Sequence, residues 1–440
     1  MNRAESSTSR NYMITRTVRV LSEAAGLLRA PQRVIPLFSK LVSDELRTTF
    51  EHRHLYSYAA ETIPRADALR SVVGWILDAQ RPDGGVAAYY SLLTGYSESY
   101  PEVTGYIIPT LYDFDRLTGD PAARHAAYLA TDWLLSLQMP SGAFPGGLRG
   151  RDSDNQPSVF NAGQILQGLI RAHAETKNAE ILKCAVAAGD WLAAIQQADG
   201  SWTGPAAYQG TAHTYYSMVS WALAQLATES GHARYAAAAD RNIDWVLAQV
   251  QPSGWIDGIN LRGHPAYLHF IAYVIQGMLE CGILRQRDEA IQAAAKAAWV
   301  LLRKFETHKR LLGTYEPDFR GGQRFACLTG NAQMSCAWLR LFEVTGDLRY
   351  LNAALKMNEM LKQLLPAKGR RGVVGGVAGS YPIWGAYQPM RFISWGCKFL
   401  ADALMLEQRL TRKFEAEFET KSEAKFEVKP ETKSEASGCA

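Results

Sequence analysis

Polar and aromatic residues gather at six places in this sequence, each just ahead of a long apolar run. The first is Tyr96-Ser-Glu98-Ser-Tyr100-Pro-Glu102-Val-Thr-Gly-Tyr106. The second is Arg149-Gly-Arg151-Asp152-Ser-Asp154-Asn155-Gln156, followed by Asn161 and Gln164. The third holds Tyr208, His213, Tyr215 and Tyr216, and the fourth Arg262, His264, Tyr267 and His269. The fifth carries Arg320 and Arg324, then Asn331 and Gln333, and the sixth Trp384, Tyr387, Arg391 and Trp395. Carboxyl, imidazole and phenol groups move protons near neutral pH. Amides and guanidinium groups hold hydroxyls and carboxylates, and aromatic faces stack on the C–H face of a sugar ring. Together they describe a polar–aromatic mouth suited to an oligo- or polysaccharide.

Roles can be assigned within that mouth. Glu102 and Asp154 are the expected pair of carboxyl groups that would flank a bond to be hydrolysed. Elimination or epimerisation of a uronic acid would instead use His213, Tyr215, His264 and Tyr267 as proton movers. Asn161, Arg320 and Arg324 would then neutralise the sugar carboxylate. Tyr100, Tyr106, Gln164, His269, Asn331, Gln333, Trp384, Tyr387, Arg391 and Trp395 complete the expected binding set. Plainer roles exist for several: Glu102 and Asp154 suit helix N-terminal caps, and His213 suits a turn. His264 and His269 are five apart and so do not share a helical face as the H-E-x-x-H pair does. No metal site and no cofactor are expected.

Regular elements must carry these clusters, and a repeat identifies them. Trp75, Trp133, Trp191, Trp245 and Trp299 each sit in an apolar helical run, and the first four runs lead to a Gln and a Gly turn. The most complete copy is Trp191-Leu-Ala-Ala-Ile-Gln196-Gln-Ala-Asp-Gly200-Ser-Trp202. A regular spacing of this size means stacked copies of one supersecondary unit. Amphipathic helices are predicted near 66–80, 122–138, 179–196, 233–249, 287–305 and 348–364. Helices apolar on nearly every side are predicted over 103–117, 159–175, 213–228, 265–280, 328–344 and 393–410, most of them stopped by Gly or Asn. All-round apolar helices are buried and amphipathic ones face water. The expected fold is therefore all-α, a single (α/α)6 toroid of six helical hairpins. Its Gly-rich turns bring the N-termini of the inner helices to one mouth.

The expected organisation is a flexible segment over 1–35, the toroid with a leading helix over 36–412, and a disordered tail over 413–440. The tail duplicates a Lys/Glu-rich phrase, Lys413-Phe-Glu-Ala-Glu-Phe and Lys425-Phe-Glu-Val-Lys-Pro, with little to bury. The net charge is +4 without a basic block, which suggests neither nucleic acid nor an anionic membrane as partner. The tail is net acidic, so the body is the more basic part and mildly favours an anionic glycan. Six scattered cysteines suit a reducing compartment. Without a leader-like segment or a membrane span, the expected location is cytoplasmic.

The phrase Gln196-Gln-Ala-Asp-Gly200-Ser-Trp202 resembles the Q-x-x-x-G-x-W repeat of terpenoid cyclases and prenyltransferase-type toroids, with weaker copies at Gln138…Gly142…Phe144 and Gln80…Gly84. The six-hairpin layout is similar to six-hairpin glycosidases, toroidal polysaccharide lyases and glucuronyl C5-epimerases. Asn161-Ala-Gly-Gln164, opening a long apolar helix, looks like their helix openings. The whole resembles toroid proteins associated with bacterial exopolysaccharide production. A terpenoid cyclase is the second reading, because Asp152-Ser-Asp154-Asn155 is close to the D-x-D-D acid motif but ends in Asn. A third is a non-catalytic glycan-binding toroid. The resemblance implies a carbohydrate-active enzyme of hydrolase, lyase or epimerase type.

Overall fold

A computed structural model describes residue 39 and residues 63–150, 156–262 and 264–426. The N-terminal segment 1–35, the leading helix expected over 41–58, Asp152, Asp154 and the last part of the tail lie outside the described residues. Twelve helices make up the described fold, alternating between two rings. The outer ones are α1 (Arg65–Asp78), α3 (Pro121–Ser136), α5 (Ala179–Ala194), α7 (Ala233–Leu247), α9 (Asp288–His308) and α11 (Leu348–Gln363). The inner ones are α2 (Pro101–Thr118), α4 (Val159–Thr176), α6 (Ser217–Ser230), α8 (Leu268–Arg285), α10 (Leu328–Thr345) and α12 (Ser394–Phe426). Each inner helix packs on the next, and α12 returns to α2, closing the ring.

The burial pattern follows the hydropathy pattern. In α8 burial is unbroken from Ile271 to Gly282, and in α10 from Leu328 to Leu339. The outer helices bury one stripe and hold their charges in solvent. Glycine sets the closest approach: a Cβ on Gly168 of α4 would lie 2.2 Å from the Gly105 carbonyl of α2. Only a residue without a side chain lets these two backbones meet.

Three boundaries differ from expectation. Inner helix α6 begins at Ser217 rather than 213, because Thr214–Tyr216 form a 3-10 turn. Helix α8 begins at Leu268 because Ala266–Tyr267 is a strand paired with Thr314–Tyr315. Residues 413–426, expected in the disordered tail, continue α12 to Phe426. That stretch is rich in Glu, Lys and Ala and reaches no proline before Pro430, so helix propensity carries the last turn onward.

Pairing order also differs. The hairpin was expected to run from an outer helix through a Gly-rich turn to the following inner helix. Each outer helix instead packs chiefly on the inner helix before it, and α1 packs on α12. Short links such as Thr118-Gly119-Asp120, with Gly119 left-handed at φ 74°, leave the chain no room to move elsewhere. The long loops at the opposite end then step to the next pair. These mouth loops form small antiparallel sheets: β1 (Tyr89–Ser91) joins β2 (Gly95–Tyr96) and β7 (Arg391–Ile393). Likewise β3 (Ala266–Tyr267) joins β4 (Thr314–Tyr315), and β5 (Ala326–Cys327) joins β6 (Ser380–Tyr381).

The repeated Gln has a structural task. Gln196 Nε2 donates to the Gly200 carbonyl of its own turn at 3.0 Å and to the Ala238 carbonyl of α7 at 2.9 Å. Gln80 and Gln138 make the same two bonds, to Gly84 and Ala126 and to Gly142 and Cys184. The fourth copy departs, as Gln249 bonds back to the Trp245 carbonyl. Trp202 is fully buried and donates Nε1 to the Leu192 carbonyl. In three of its four copies the repeat thus fastens a mouth loop to the next outer helix.

Candidate active site

Pro101 opens α2, its fixed φ suiting the first helical position. Glu102 follows, so its carboxyl stands at the mouth end of the inner ring. The Tyr100 hydroxyl donates to Glu102 Oε2 at 2.6 Å, a bond that favours the ionised form. Burial wins over it and pushes the Glu102 pKa up to about 7. The carboxyl is therefore poised to hold a proton near neutrality. Burial chiefly, with the Glu102 charge contributing at each, holds the hydroxyls of Tyr100, Tyr106, Tyr215, Tyr273 and Tyr387 well above the usual phenol range. These tyrosines come from α2, the approach to α6, α8 and the last loop, so Glu102 lies where four segments converge.

His269, second residue of α8, faces the same tyrosines. Its ring centroid lies 4.3 Å from Tyr273 and 5.5 Å from Tyr387. Its Nδ1 is 2.6 Å from Oε1 of buried Gln333, which as an amide oxygen accepts Nδ1–H. That contact selects the tautomer whose Nε2 carries a lone pair. Burial lowers the His269 pKa to about 3, against the Gln333 bond that raises it. The ring is neutral at any physiological pH, and Nε2 has no partner among the described residues.

Aromatic rings make one continuous wall around this pair. Tyr215 lies between His213 and Phe270, stacked on each at 4.9 and 5.3 Å. Phe160 meets Tyr215 at 5.1 Å and Tyr273 at 5.2 Å. Tyr267 contacts Tyr387 at 5.3 Å and His264 at 6.4 Å. The Trp395 indole N–H donates to the Tyr387 hydroxyl at 2.9 Å.

Other expected residues stand differently. His213 is buried and its Nε2 meets the Tyr208 carbonyl at 2.8 Å, so it pins its loop. Burial lowers its pKa, and that of half-buried His264. Asn161 bonds the Pro145 carbonyl and the capping Ser158 hydroxyl, which ties it to the start of α4. Gln164 and Asn331 are buried in inner helices with both amide atoms unpartnered. Arg391 is buried over the Tyr89 ring at 4.0 Å and bonds Gln388, while Trp384 is half-buried nearby in the chain. Arg320 and Arg324 are exposed on the fifth loop and do not join the tyrosine cage.

Sequence reasoning missed Phe160, Phe270, Tyr273 and Phe399. A signal existed for two of them. Glu102 and Tyr106, His269 and Tyr273, and Trp395 and Phe399 are each four apart at the start of an inner helix, which places both members on one face. Phe399 meets Tyr106 at 6.0 Å and Tyr273 at 5.8 Å. Among the described residues no group of three or more His, Cys, Asp or Glu is placed to hold a metal ion. Five of the six cysteines are described, and all five are free and buried.

The catalytic-domain family of beta-L-arabinofuranosidase, GH127, matches residues 56–309. The chain belongs to this family. The matched stretch is more than half of the chain and includes Glu102 and His269, whereas Gln333 and Tyr387 lie beyond it. No curated protein matches the sequence. Among solved structures the fold is similar to cellobiose 2-epimerase from Bacillus thermoamylovorans B4167, with 12% identity over 78% of this chain and 97% of that one, at a TM-score of 0.65. It is also similar to the unsaturated glucuronyl hydrolase of Bacillus sp. GL1, with 16% identity over 78% and 96% and a TM-score of 0.62. D-mannose isomerase gives 13% identity over 78% and 97%, with a TM-score of 0.63. The GH127-family chain is thus a member of the (α/α)6 toroid, six-hairpin superfamily. It is a carbohydrate-active enzyme, which implies an oligosaccharide substrate. No helix among the described residues is long and apolar enough to cross a membrane.

Proposed function

We propose that the protein is a glycoside hydrolase acting on oligosaccharides at the toroid mouth, with Glu102 as general acid and His269 as general base. The observation that carries this reading is a protonatable carboxyl and a neutral imidazole around the same tyrosines: His269 packs on Tyr273 and Tyr387, and the Glu102 charge acts on both of their hydroxyls. Glu102, near pH 7 half-protonated, donates its proton to the glycosidic oxygen as the bond to the anomeric carbon breaks. Nε2 of His269 takes a proton from the water that attacks that carbon. Gln333 holds the imidazole in the required tautomer. The tyrosine cage limits water, strengthens the electrostatics of both proton transfers, and offers stacking faces and hydroxyls to the sugar. Asp154 would be a further carboxylate from the second loop. The body's positive charge favours an acidic glycan.

A second reading is proton transfer at a sugar carbon, as in an epimerase. It is favoured by the same imidazole, because such a reaction needs a base and an acid but no second carboxylate. Purified protein incubated with neutral and uronic-acid oligosaccharides discriminates between them. Release of reducing ends that falls at least about 100-fold in Glu102→Gln, with the fold intact by circular dichroism, is the expected result. Deuterium uptake from solvent without chain cleavage would establish the epimerase reading, and cleavage undiminished in Glu102→Gln would overturn both assignments of the acid.

A further inference from the structure

The remaining charges of the molecule separate into two kinds. Most arginines are matched: Arg340 grips Glu280 through two bonds of 2.7 and 2.9 Å, Arg285 grips Asp240, Arg287 meets Asp244, and Arg171 meets Asp113. A cavity of about 630 Å3 among the C-terminal halves of the inner helices is lined by such mutually compensated groups. A second cavity, of about 450 Å3, is different. It lies between the end of α9 and the fifth mouth loop and is lined by Lys304, His308, Arg310 and Arg324 over Tyr315 and Phe319. Among the described residues no carboxylate lines it. Lys304, Arg310 and Arg324 make no ion pair among the described residues.

Three uncompensated cations in one concavity repel each other, and an anion there relieves that repulsion. Tyr315 and Phe319 are fully buried beneath the opening, with Lys304 Nζ 6.0 Å from the Tyr315 ring centre, so it is the charged rim that meets a ligand. Position narrows the choice of anion. Strand β4 pairs Tyr315 with Ala266 and Thr314 with Tyr267, and the Phe325 ring lies 6.5 Å from that of Tyr267. The pocket is therefore one strand away from the wall of the candidate active site.

We propose that this pocket is a binding subsite for an acidic residue of the glycan, outside the reacting position. The inference rests on the glycan-acting reading but not on its acid–base assignment. It places Arg324, and neighbouring Arg320 on the same loop, in chain recognition rather than in the chemistry.

Calorimetric titration of the full-length protein with a galacturonate hexasaccharide, maltohexaose and inorganic phosphate tests it. The galacturonate hexasaccharide should bind, and binding should weaken as salt rises above about 0.1 M, where screening acts within ~10 Å. Lys304→Ala with Arg310→Ala should weaken it about tenfold or more, Arg310→Lys should restore most of the loss, and maltohexaose should be unaffected. Galacturonate binding that is absent, or unchanged in the double variant, would overturn the proposal, as would phosphate binding as tightly as the hexasaccharide. Loss of galacturonate affinity in a protein that cleaves no glycan would keep the subsite while removing the proposed hydrolysis. Cleavage abolished by Glu102→Gln with no effect of the pocket variants would do the reverse.

Discussion

At the scale of single residues, two groups are held in their uncharged forms by the same burial and with opposite consequences for pH. Glu102 has an ordinary value of 4.5 and a native value of about 7. Between those values the native state binds more protons than the unfolded chain, so stability falls as pH rises from about 4.5 to 7. His269 has an ordinary value of 6.5 and a native value of about 3. There the unfolded chain binds more protons, so stability falls as pH drops from about 6.5 to 3. The two effects oppose each other where their windows overlap. Glu102→Gln should therefore raise stability at pH 8 relative to pH 4.5 by up to about 3 kcal/mol, read from urea midpoints at the two values. His269→Phe should flatten the acid side instead. A Glu102→Gln protein with an unchanged pH profile of stability would mean that the carboxyl is not desolvated. In turnover, the same protonation predicts activity that declines above about pH 7 as the general acid is lost.

Among the elements, the six mouth clusters and the alternation of amphipathic and apolar helices were legible because periodicity and punctuation report burial directly. Phe160 and Phe270 were not, since an aromatic inside an apolar helix has the same signature whether it fills the core or lines a site. His213 and Asn161 could be read either way, and only their bonds to the Tyr208 and Pro145 carbonyls assign them to the loops. The repeated Gln…Gly phrase was legible as a repeat, but its bond to the neighbouring outer helix depends on which helices are adjacent. That bond makes a graded prediction possible. Gly200 has φ 88°, and a Cβ there would lie 2.2 Å from the Arg241 carbonyl of α7. Gly231 has a similar φ of 72° but open space around it. Gly231→Ala should cost about 1 kcal/mol for the left-handed backbone alone. Gly200→Ala should cost more than about 3 kcal/mol because the loop must also leave α7. Gln196→Leu should fall between them, as it removes the bonds to the Gly200 and Ala238 carbonyls and the acceptor of Arg241, while Asn242 still donates to Gly200. Equal melting temperatures for the two glycine variants would refute the tie between loop and helix.

For the whole molecule, closure distinguishes this ring from an open helical array. In an open array each pair touches only its neighbours, so ends fray and stability is a sum of local terms. Here the first and last elements meet twice. At the mouth, β1 pairs with β7 through Tyr89–Ile393 and Ser91–Arg391. In the wall, α1 packs on α12, where the nearly buried Glu407 accepts Arg65 Nη1 at 2.9 Å and Asn358 Nδ2 at 2.7 Å. Asn358 also accepts from Ser335, so the closing contact continues into α10. Removing the carboxylate leaves a half-buried guanidinium and a buried amide without their partner, a loss of about 2–4 kcal/mol. The larger consequence concerns cooperativity. The intact ring should melt in one transition, with the calorimetric and van't Hoff enthalpies equal. Glu407→Ala should open the seam between α12 and α1, so that hydrogen exchange rises first in α1 and α12 while α4 and α6, across the ring, stay protected. Exchange that rises uniformly around the ring would show that closure adds no more than any other pair of neighbours. Because β1 and β7 sit in the loops that carry Tyr100 and Tyr387, an opened seam should also loosen the Glu102 cage. Activity should then decline at temperatures where the far side of the ring is still folded.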